Sequence, residues 1–330
     1  MNSNQSFQKG QFLSCKKRKT ALILMLLGVL ILAILDMGTV LSFDQTLWKE
    51  IIFHLRLPHI LAVILVGAGL GLSGAVLQSY LRNPLADPAL IGVSSGGSLS
   101  TMIFLVMAKT WGWTVSLWGY TGAALLGVFL VLLCLLKLVA LIDRLGVAGI
   151  ILIGIGVNAC LGAILGCAMV FLDQAHLDQI LMWGLGSFQL PSYGLLSMAF
   201  LLILLGLSGL YFIRSDLDKL NFGERSAFSM GVNLQRLRTY VLVAVSLLMA
   251  VSVILVGSIA FVGLLAPHFS RHWTGPNSKS LWIGSALCGA IWLLFADLLA
   301  SFWMEGQLPV GVVSAFLGGP FFIYVLLKKC

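Results

Sequence analysis

The chain has 330 residues, of which 59% are hydrophobic and 10% are charged, and its formal net charge is +8. Soluble domains carry about 25% charged residues, so this composition excludes an ordinary soluble globular protein. It predicts an all-α polytopic membrane protein, in which the excess of Lys and Arg marks cytoplasmic loops and no nucleic-acid partner is expected.

The chain begins with a polar segment. Residues 1–19 are predicted to form a cytoplasmic tail that ends in the basic run Lys16–Lys19. The apolar stretch that follows has no small-residue cleavage site, so we interpret it as a retained span and not as a signal peptide. Residues 20–330 then form one transmembrane domain.

Hydropathy divides this domain into apolar stretches that are long enough to cross a bilayer. The stretch Tyr240–Pro267 is long for one span and short for two. If it forms two spans, most Lys and Arg residues fall in inner loops, as short cytoplasmic loops require. We therefore predict about ten transmembrane helices with both termini in the cytoplasm. The other predicted spans are Thr20–Leu35, Pro58–Leu81, Leu90–Ala108, Val115–Val139, Val147–Leu172, Gly194–Ile213, Leu281–Ala300 and Leu308–Leu327.

An irregular link follows the second predicted span. Arg82-Asn83-Pro84 ends the helix, and Pro88 comes shortly afterwards. Proline lacks an amide donor and moves the preceding residue out of helical geometry, so this segment cannot continue as a helix. Irregular backbone at membrane depth is tolerated only where it is buried in protein or faces a water-filled cavity. The link therefore indicates a transport pathway or a docking surface.

Small residues form a stripe along the fifth predicted span. Gly154, Asn158, Gly162 and Gly166 recur every four residues and lie on one helical face. Such a stripe favours close helix packing, with the last two glycines as a G-x-x-x-G pair. It also fits a smooth channel wall with Asn158 as its polar contact. Both interpretations hold together if one edge packs and the other faces a cavity.

The longest polar segment inside the chain is the loop at about 214–238. Its sequence GERSAFSMG, residues 223–231, predicts a short helix between two glycines. By composition alone, an ordinary solvated loop is the alternative.

Several chemical functions are absent from the sequence. Proton- and sodium-coupled carriers keep ionisable side chains at mid-membrane, but Asp297 is the one acid within a predicted span, near its outer end, and Asp36 is assigned to an outer loop. The chain also lacks the phosphate-binding motif G-x-x-x-x-G-K-[ST]. The energy for transport must therefore come from a partner, or none is needed. We expect no enzyme activity, no cofactor and no metal site.

Two motifs suggest other chemistry. Residues 92–96 fit the G-x-S-x-G pattern of serine hydrolases, but that motif needs a preceding strand, and here it begins a predicted membrane helix. His268 and His272 have a spacing that suits a metal ion. No acid lies between them and no third ligand is evident, so we interpret them as interfacial histidines.

The chain resembles the permease family of ATP-binding cassette (ABC) importers for iron complexes, that is ferric siderophores and haem, and for vitamin B12. The matching elements are an RLP start at Arg56, the motif VGAGLGLSG, the link Q-x-x-x-R-N-P-L-A-D-P, the following LIGVSSG and the closing LPVGVVSAFLGGPFF. The resemblance covers Arg56 to Lys328. It implies a location in the bacterial cytoplasmic (inner) membrane and the same number of helices.

The resemblance also implies roles for individual residues. It implies an inner gate formed by Asn83 and Leu85, a pathway lined by Gly154, Asn158 and Gly162, and a docking surface for the binding protein at Arg56 and His59. The segment that contacts the ATPase is matched at Gly223, Glu224, Ala227 and Gly231, with Met230 where leucine is more usual. Phe228 or Met230 would be the apolar side chain that fills the groove of the ATPase. His59 and Ser301 replace arginines that are common in relatives. We therefore expect docking with a modest salt dependence and a gain below about pH 6.5, where an ordinary histidine is protonated.

The implied partners are a second copy or a homologous permease, two cytoplasmic ATPase subunits and a periplasmic or extracellular solute-binding protein, with membrane lipid around the assembly. The alternative from a different class is a secondary carrier or channel that acts alone on a small solute.

Overall fold

The computed structural model describes residues 15–38, 50–114, 116–141, 146–170, 174–188, 191–275, 278–302 and 308–327. No strand occurs within these ranges, which confirms the prediction of a helical protein. The helices are α1 (Cys15–Gly38), α2 (Leu57–Leu81), α3 (Val93–Thr110), α4 (Leu117–Leu141), α5 (Gly146–Met169), α6 (Gln174–Gly184), α7 (Tyr193–Leu220), α8 (Glu224–Ser229), α9 (Leu234–Leu255), α10 (Val262–Thr274), α11 (Ser278–Phe302) and α12 (Val310–Leu327). A π-helical turn, Ile51–Arg56, leads into α2, and a 3-10 turn, Pro88–Ile91, precedes α3.

Seven helices in the described part of the chain are long and apolar enough to cross a membrane. The ambiguous stretch Tyr240–Pro267 contains two helices, because α9 ends at Leu255 and α10 begins at Val262. With 13 residues, α10 is about 20 Å long, which is shorter than the roughly 30 Å hydrocarbon core. The total of about ten spans and the cytoplasmic position of both termini stay predictions.

Helix α1 differs from the sequence-based expectation at both ends. It begins at Cys15, within the predicted tail, whose first 14 residues lie outside the described part of the chain. It also extends past Leu35, so Asp36 lies in a helix and its side chain is fully buried. The assignment of Asp36 to an outer loop was wrong, because hydropathy ends a span at the first acid even where packing buries that acid.

Helix α2 lies at the centre of the bundle and packs against α9, α10 and α11. Its glycines allow backbones to approach closely, as small residues do between membrane helices. A Cβ atom on Gly71 would lie 2.1 Å from the backbone oxygen of Ser285, and one on Gly67 would lie 2.5 Å from that of Gly289. The motif VGAGLGLSG is therefore the surface on which α11 rests.

Contacts between helix termini define the two ends of the bundle. The hydroxyl of Ser278 at the start of α11 donates to Asp218 near the end of α7. Gly223, just beyond α7, lies close to Arg82 in the link. The link, the end of α7 and the start of α11 thus share one end, termed the link end, which is the predicted cytoplasmic end. At the opposite end, termed the far end, the start of α2 meets the last turns of α11.

Candidate functional site

The link between α2 and α3 is an ordered sequence of turns. Arg82 ends α2 in the left-handed conformation, with φ of 49°. The Asn83 side chain accepts a hydrogen bond from the Leu85 amide at 2.9 Å, which fixes an Asx turn. Leu85 projects from this turn and is 41% exposed in the single chain. The two predicted gate residues thus form one local unit, in which Asn83 holds the backbone that presents Leu85.

Asp87 and Gln78 attach the link to the bundle. Asp87 accepts from the Ala89 amide at 3.0 Å and also from the amide of Phe261. Burial raises the pKa of the Asp87 carboxyl, and these two hydrogen bonds offset part of that effect. The buried amide of Gln78 donates to the carbonyl groups of Ala86 and Leu264, each at 3.3 Å. The roles of Gln78 and Phe261 are not evident from the sequence, since nothing local shows that α10 begins beside the link.

Phe261 has an unusual backbone conformation. It precedes α10 with φ of 69°, a left-handed geometry that is rare for a bulky side chain and costs on the order of 1–3 kcal/mol. Gly318 of α12 packs closely on this residue, because a Cβ atom on Gly318 would lie 2.7 Å from the Phe261 side chain. The break between α9 and α10 is therefore held from both sides, by Asp87 and by α12.

The small-residue stripe of α5 has two parts. A Cβ atom on Gly154 would lie 3.1 Å from the Leu90 carbonyl oxygen, and the Asn158 side chain accepts a hydrogen bond from Ser95. This part packs on the 3-10 turn and the start of α3. Gly162, by contrast, is exposed and has open space where a Cβ atom would be. Packing thus occurs at Gly154 and Asn158. The predicted packing of the G-x-x-x-G pair is not seen among the described residues, because Gly166, like Gly162, has open space where a Cβ atom would be, and this part of the stripe forms a free surface.

The predicted short helix in the inner loop is confirmed as α8. Gly231 follows it with φ of 82°, and its amide donates to the Phe228 carbonyl at 2.9 Å. The Val232 amide donates to the Ala227 carbonyl at 3.0 Å, and both of these side chains are buried. This is a Schellman cap with its accompanying apolar contact.

The cap leaves two large apolar side chains in the open. Phe228 is 71% exposed and Met230 is 49% exposed, whereas Ala227 beside them is buried. Glu224 is the first residue of the helix, where the positive end of the helix dipole stabilises its carboxylate. Helix α8 and its cap, residues 224–232, thus form a compact projection at the link end, termed the knob.

At the far end, four ionisable side chains come together. The Arg56 guanidinium lies 3.9 Å from Asp36, and His59 Nε2 lies 2.9 Å from Asp297 Oδ2. The His59 ring also meets Phe188 edge-on at 5.1 Å. Together with Ser301, three of these residues (Arg56, His59 and Asp297) line an open cavity of about 310 Å³. Arg56 and His59 were predicted from the sequence, but their acidic partners were not, because Asp36 and Asp297 lie on other helices.

Comparison with known proteins decides the family. Residues 17–328 match the FecCD transport family. The chain belongs to the FecCD transport family. It is 33% identical over 320 residues to the hemin transport system permease protein HmuU of Yersinia pestis, covering 93% of this chain and 94% of that protein. It is 35% identical to the vitamin B12 import system permease protein BtuC of Vibrio cholerae, covering 86% and 85% of the two chains.

The FecCD fold is also found among solved structures. A metal-chelate type ABC transporter in an inward-facing conformation superposes with a TM-score of 0.82 and 32% sequence identity, covering 94% of this chain and 99% of that chain. The resemblance to iron-complex and vitamin B12 permeases is therefore confirmed, and the chain is a multi-pass membrane permease of that class. FecCD proteins are transport subunits and not enzymes.

Proposed function

We propose that this chain is the membrane-spanning subunit of an ATP-driven importer that carries an iron complex, either a ferric siderophore or haem, or vitamin B12 across the bacterial cytoplasmic membrane. The observation that carries the proposal is the capped knob at the link end, with Phe228 and Met230 exposed beside the link. A rigid apolar projection of this kind suits the groove of a partner better than it suits solvent.

In the proposed assembly, two permease copies, identical or homologous, enclose a central pathway. Leu85 of each copy meets the other at the axis and closes the inner end. The exposed surface of α5 around Gly162 lines the route, and Asn158 supplies a polar contact next to the packed part of the stripe. Two ATPase subunits hold the knobs, so movement in their grooves is transmitted to the link through the adjoining turns.

The far end is proposed to receive the external solute-binding protein. Arg56 and His59 are the docking cations expected from the family, but each faces a carboxylate of its own chain. Asp36 offsets the charge of Arg56, and Asp297 offsets the charge that His59 carries when protonated. Charges at the rim of an interface mainly control association rate and salt dependence. Docking at this surface therefore rests more on shape than on net positive charge.

The substrate is tested by direct competition. The permease, its ATPase and its binding protein are reconstituted in vesicles and supplied with ferric hydroxamate, haemin or cyanocobalamin. We expect ATP-dependent uptake of one of the three, and competition should identify the same compound that binds the isolated binding protein. Uptake of none of them would contradict the assignment to iron complexes and corrinoids.

A further inference from the structure

An apolar groove runs along the outside of the bundle between α2, α7 and α11. It encloses about 480 Å³ and is lined by residues that include Leu72, Leu207, Tyr211, Trp282 and Ile283. Tyr211 is 76% exposed at its open side, whereas Trp282 is 7% exposed at its wall. Membrane helices usually fill such a space with side chains, so an open groove of this size has room for a lipid chain.

One end of the groove is positively charged. Arg214 of α7 and Lys279 of α11 line it, and none of the described residues that line the groove is acidic. Arg214 Nε is buried and has no hydrogen-bond partner within the described ranges, and the same holds for the indole nitrogen of Trp282. Asp218, four residues after Arg214 on α7, accepts hydrogen bonds from Ser278, the residue before Lys279, and offsets part of this charge. The groove thus combines an apolar body with a cationic end.

The length of the groove matches the thickness of one leaflet of a bilayer. From Ile203 to Arg214 the groove follows α7 for about 16 Å at 1.5 Å per residue. Half of the hydrocarbon core is about 15 Å. The cationic end coincides with the link end, so the apolar part extends from the headgroup level to the bilayer centre.

We propose that this groove binds one anionic phospholipid of the leaflet at the link end. Its acyl chain lies along Leu72, Leu207 and Trp282, and its phosphate faces Arg214 and Lys279. Basic pockets between membrane helices on the cytoplasmic side are suited to anionic headgroups. The site ties α7, which leads into α8, to the central helix α2.

A second copy of the chain is a poorer occupant. Symmetric dimers in a membrane place the same patch of each subunit against the other. Here such a contact would place the cationic ends of both grooves in one interface at the same membrane depth, and like charges across an interface are unfavourable. A phospholipid phosphate has the opposite charge and fits the length.

The test uses the full chain in vesicles that contain dibrominated phosphatidylglycerol or dibrominated phosphatidylcholine. The difference in quenching between wild type and Trp282→Phe isolates the fluorescence of Trp282. We expect phosphatidylglycerol to be preferred roughly 25-fold, at about fivefold for each cation. The preference should disappear in Arg214→Gln/Lys279→Gln. As a readout that does not need Trp282, mass spectrometry should show less co-purified anionic lipid in that double variant.

The matched control is Lys19→Gln/Lys137→Gln, which removes two exposed cations at the link end outside the groove. This control should keep the preference. Equal quenching by both lipids in wild type would show that the groove holds only unselective boundary lipid. Loss of the preference in the control as well would attribute it to general surface charge. Either result would overturn the proposed site.

Discussion

At the scale of single residues, Leu85 is an exposed candidate for control of the pathway. Its side chain projects from a turn that Asn83 fixes, so shortening it leaves the turn intact and removes only bulk. We expect Leu85→Ala to make vesicles leaky, because the apolar contact that is proposed to close the inner end would be lost. The measurement is efflux of an encapsulated small tracer without ATP.

The matched control for the gate is Leu201→Ala. Leu201 is 54% exposed on α7, away from the link, and its truncation removes the same atoms. Leu201→Ala should leave passive permeability unchanged. If both variants leak equally, or neither leaks, Leu85 does not close the pathway.

Asp87 makes the stability of the folded state depend on pH in a defined direction. Burial raises the pKa of its carboxyl in the folded state above the ordinary value of 3.8. The ionised form is therefore disfavoured by folding, so this group lowers stability as the pH rises from about 4 through the raised pKa. Asp87→Asn keeps an acceptor for the Ala89 and Phe261 amides and removes the charge.

We therefore expect the melting temperature of wild type, relative to Asp87→Asn, to fall between pH 4 and neutral pH. Asp87→Ala loses both acceptors and should melt lower than Asp87→Asn at every pH. A constant difference between wild type and Asp87→Asn across this range would show that the carboxyl is not held in the way the structure indicates.

The residue scale also shows what the sequence can and cannot predict. Gly231 and the two helices within Tyr240–Pro267 were predictable, because local backbone chemistry and charge placement control them. The pairing of His59 with Asp297 was not, since these residues are 238 positions apart and meet only after α2 packs on α11. The burial of Asp36 likewise depends on tertiary packing, here of α1 on α11. Local patterns thus located the candidate residues but not their partners.

At the scale of elements, the short helix α8 depends on its cap. Gly231 has a left-handed backbone that costs a β-branched residue roughly 1–2 kcal/mol. We expect Gly231→Val to insert normally but to lose the stimulation of ATPase activity by substrate-loaded binding protein, because the orientation of Phe228 and Met230 would change. The measurement is ATP hydrolysis by the reconstituted complex.

Gly231→Asn supplies the control, because asparagine adopts the left-handed conformation more readily than other non-glycine residues. It should keep most of the stimulation. Full stimulation in Gly231→Val would mean that the loop is only a linker.

At the scale of the whole molecule, the far end is the proposed docking surface for the external protein. Because Asp36 and Asp297 offset the two cations, we expect affinity for the binding protein to change modestly between low and physiological salt. Protonation of His59 should increase this affinity little in wild type and more in Asp297→Asn, where no carboxylate offsets the imidazolium charge. The measurement is titration of the binding protein against salt and pH.

Arg56→Ala should weaken docking several-fold, whereas Lys109→Ala, which removes another predicted outer cation, should not. A steep salt dependence, or indifference to Arg56→Ala, would show that docking uses other residues.

The central claim is that transport by this FecCD protein is driven by a partner ATPase. The most direct measurement is substrate uptake into vesicles that contain the permease with or without the ATPase, under ATP on the cytoplasmic side or under a proton or sodium gradient. Uptake is predicted only with both ATP and the ATPase, and an ion gradient alone should have no effect. Gradient-driven uptake by the permease alone would contradict the account and identify a secondary carrier or channel.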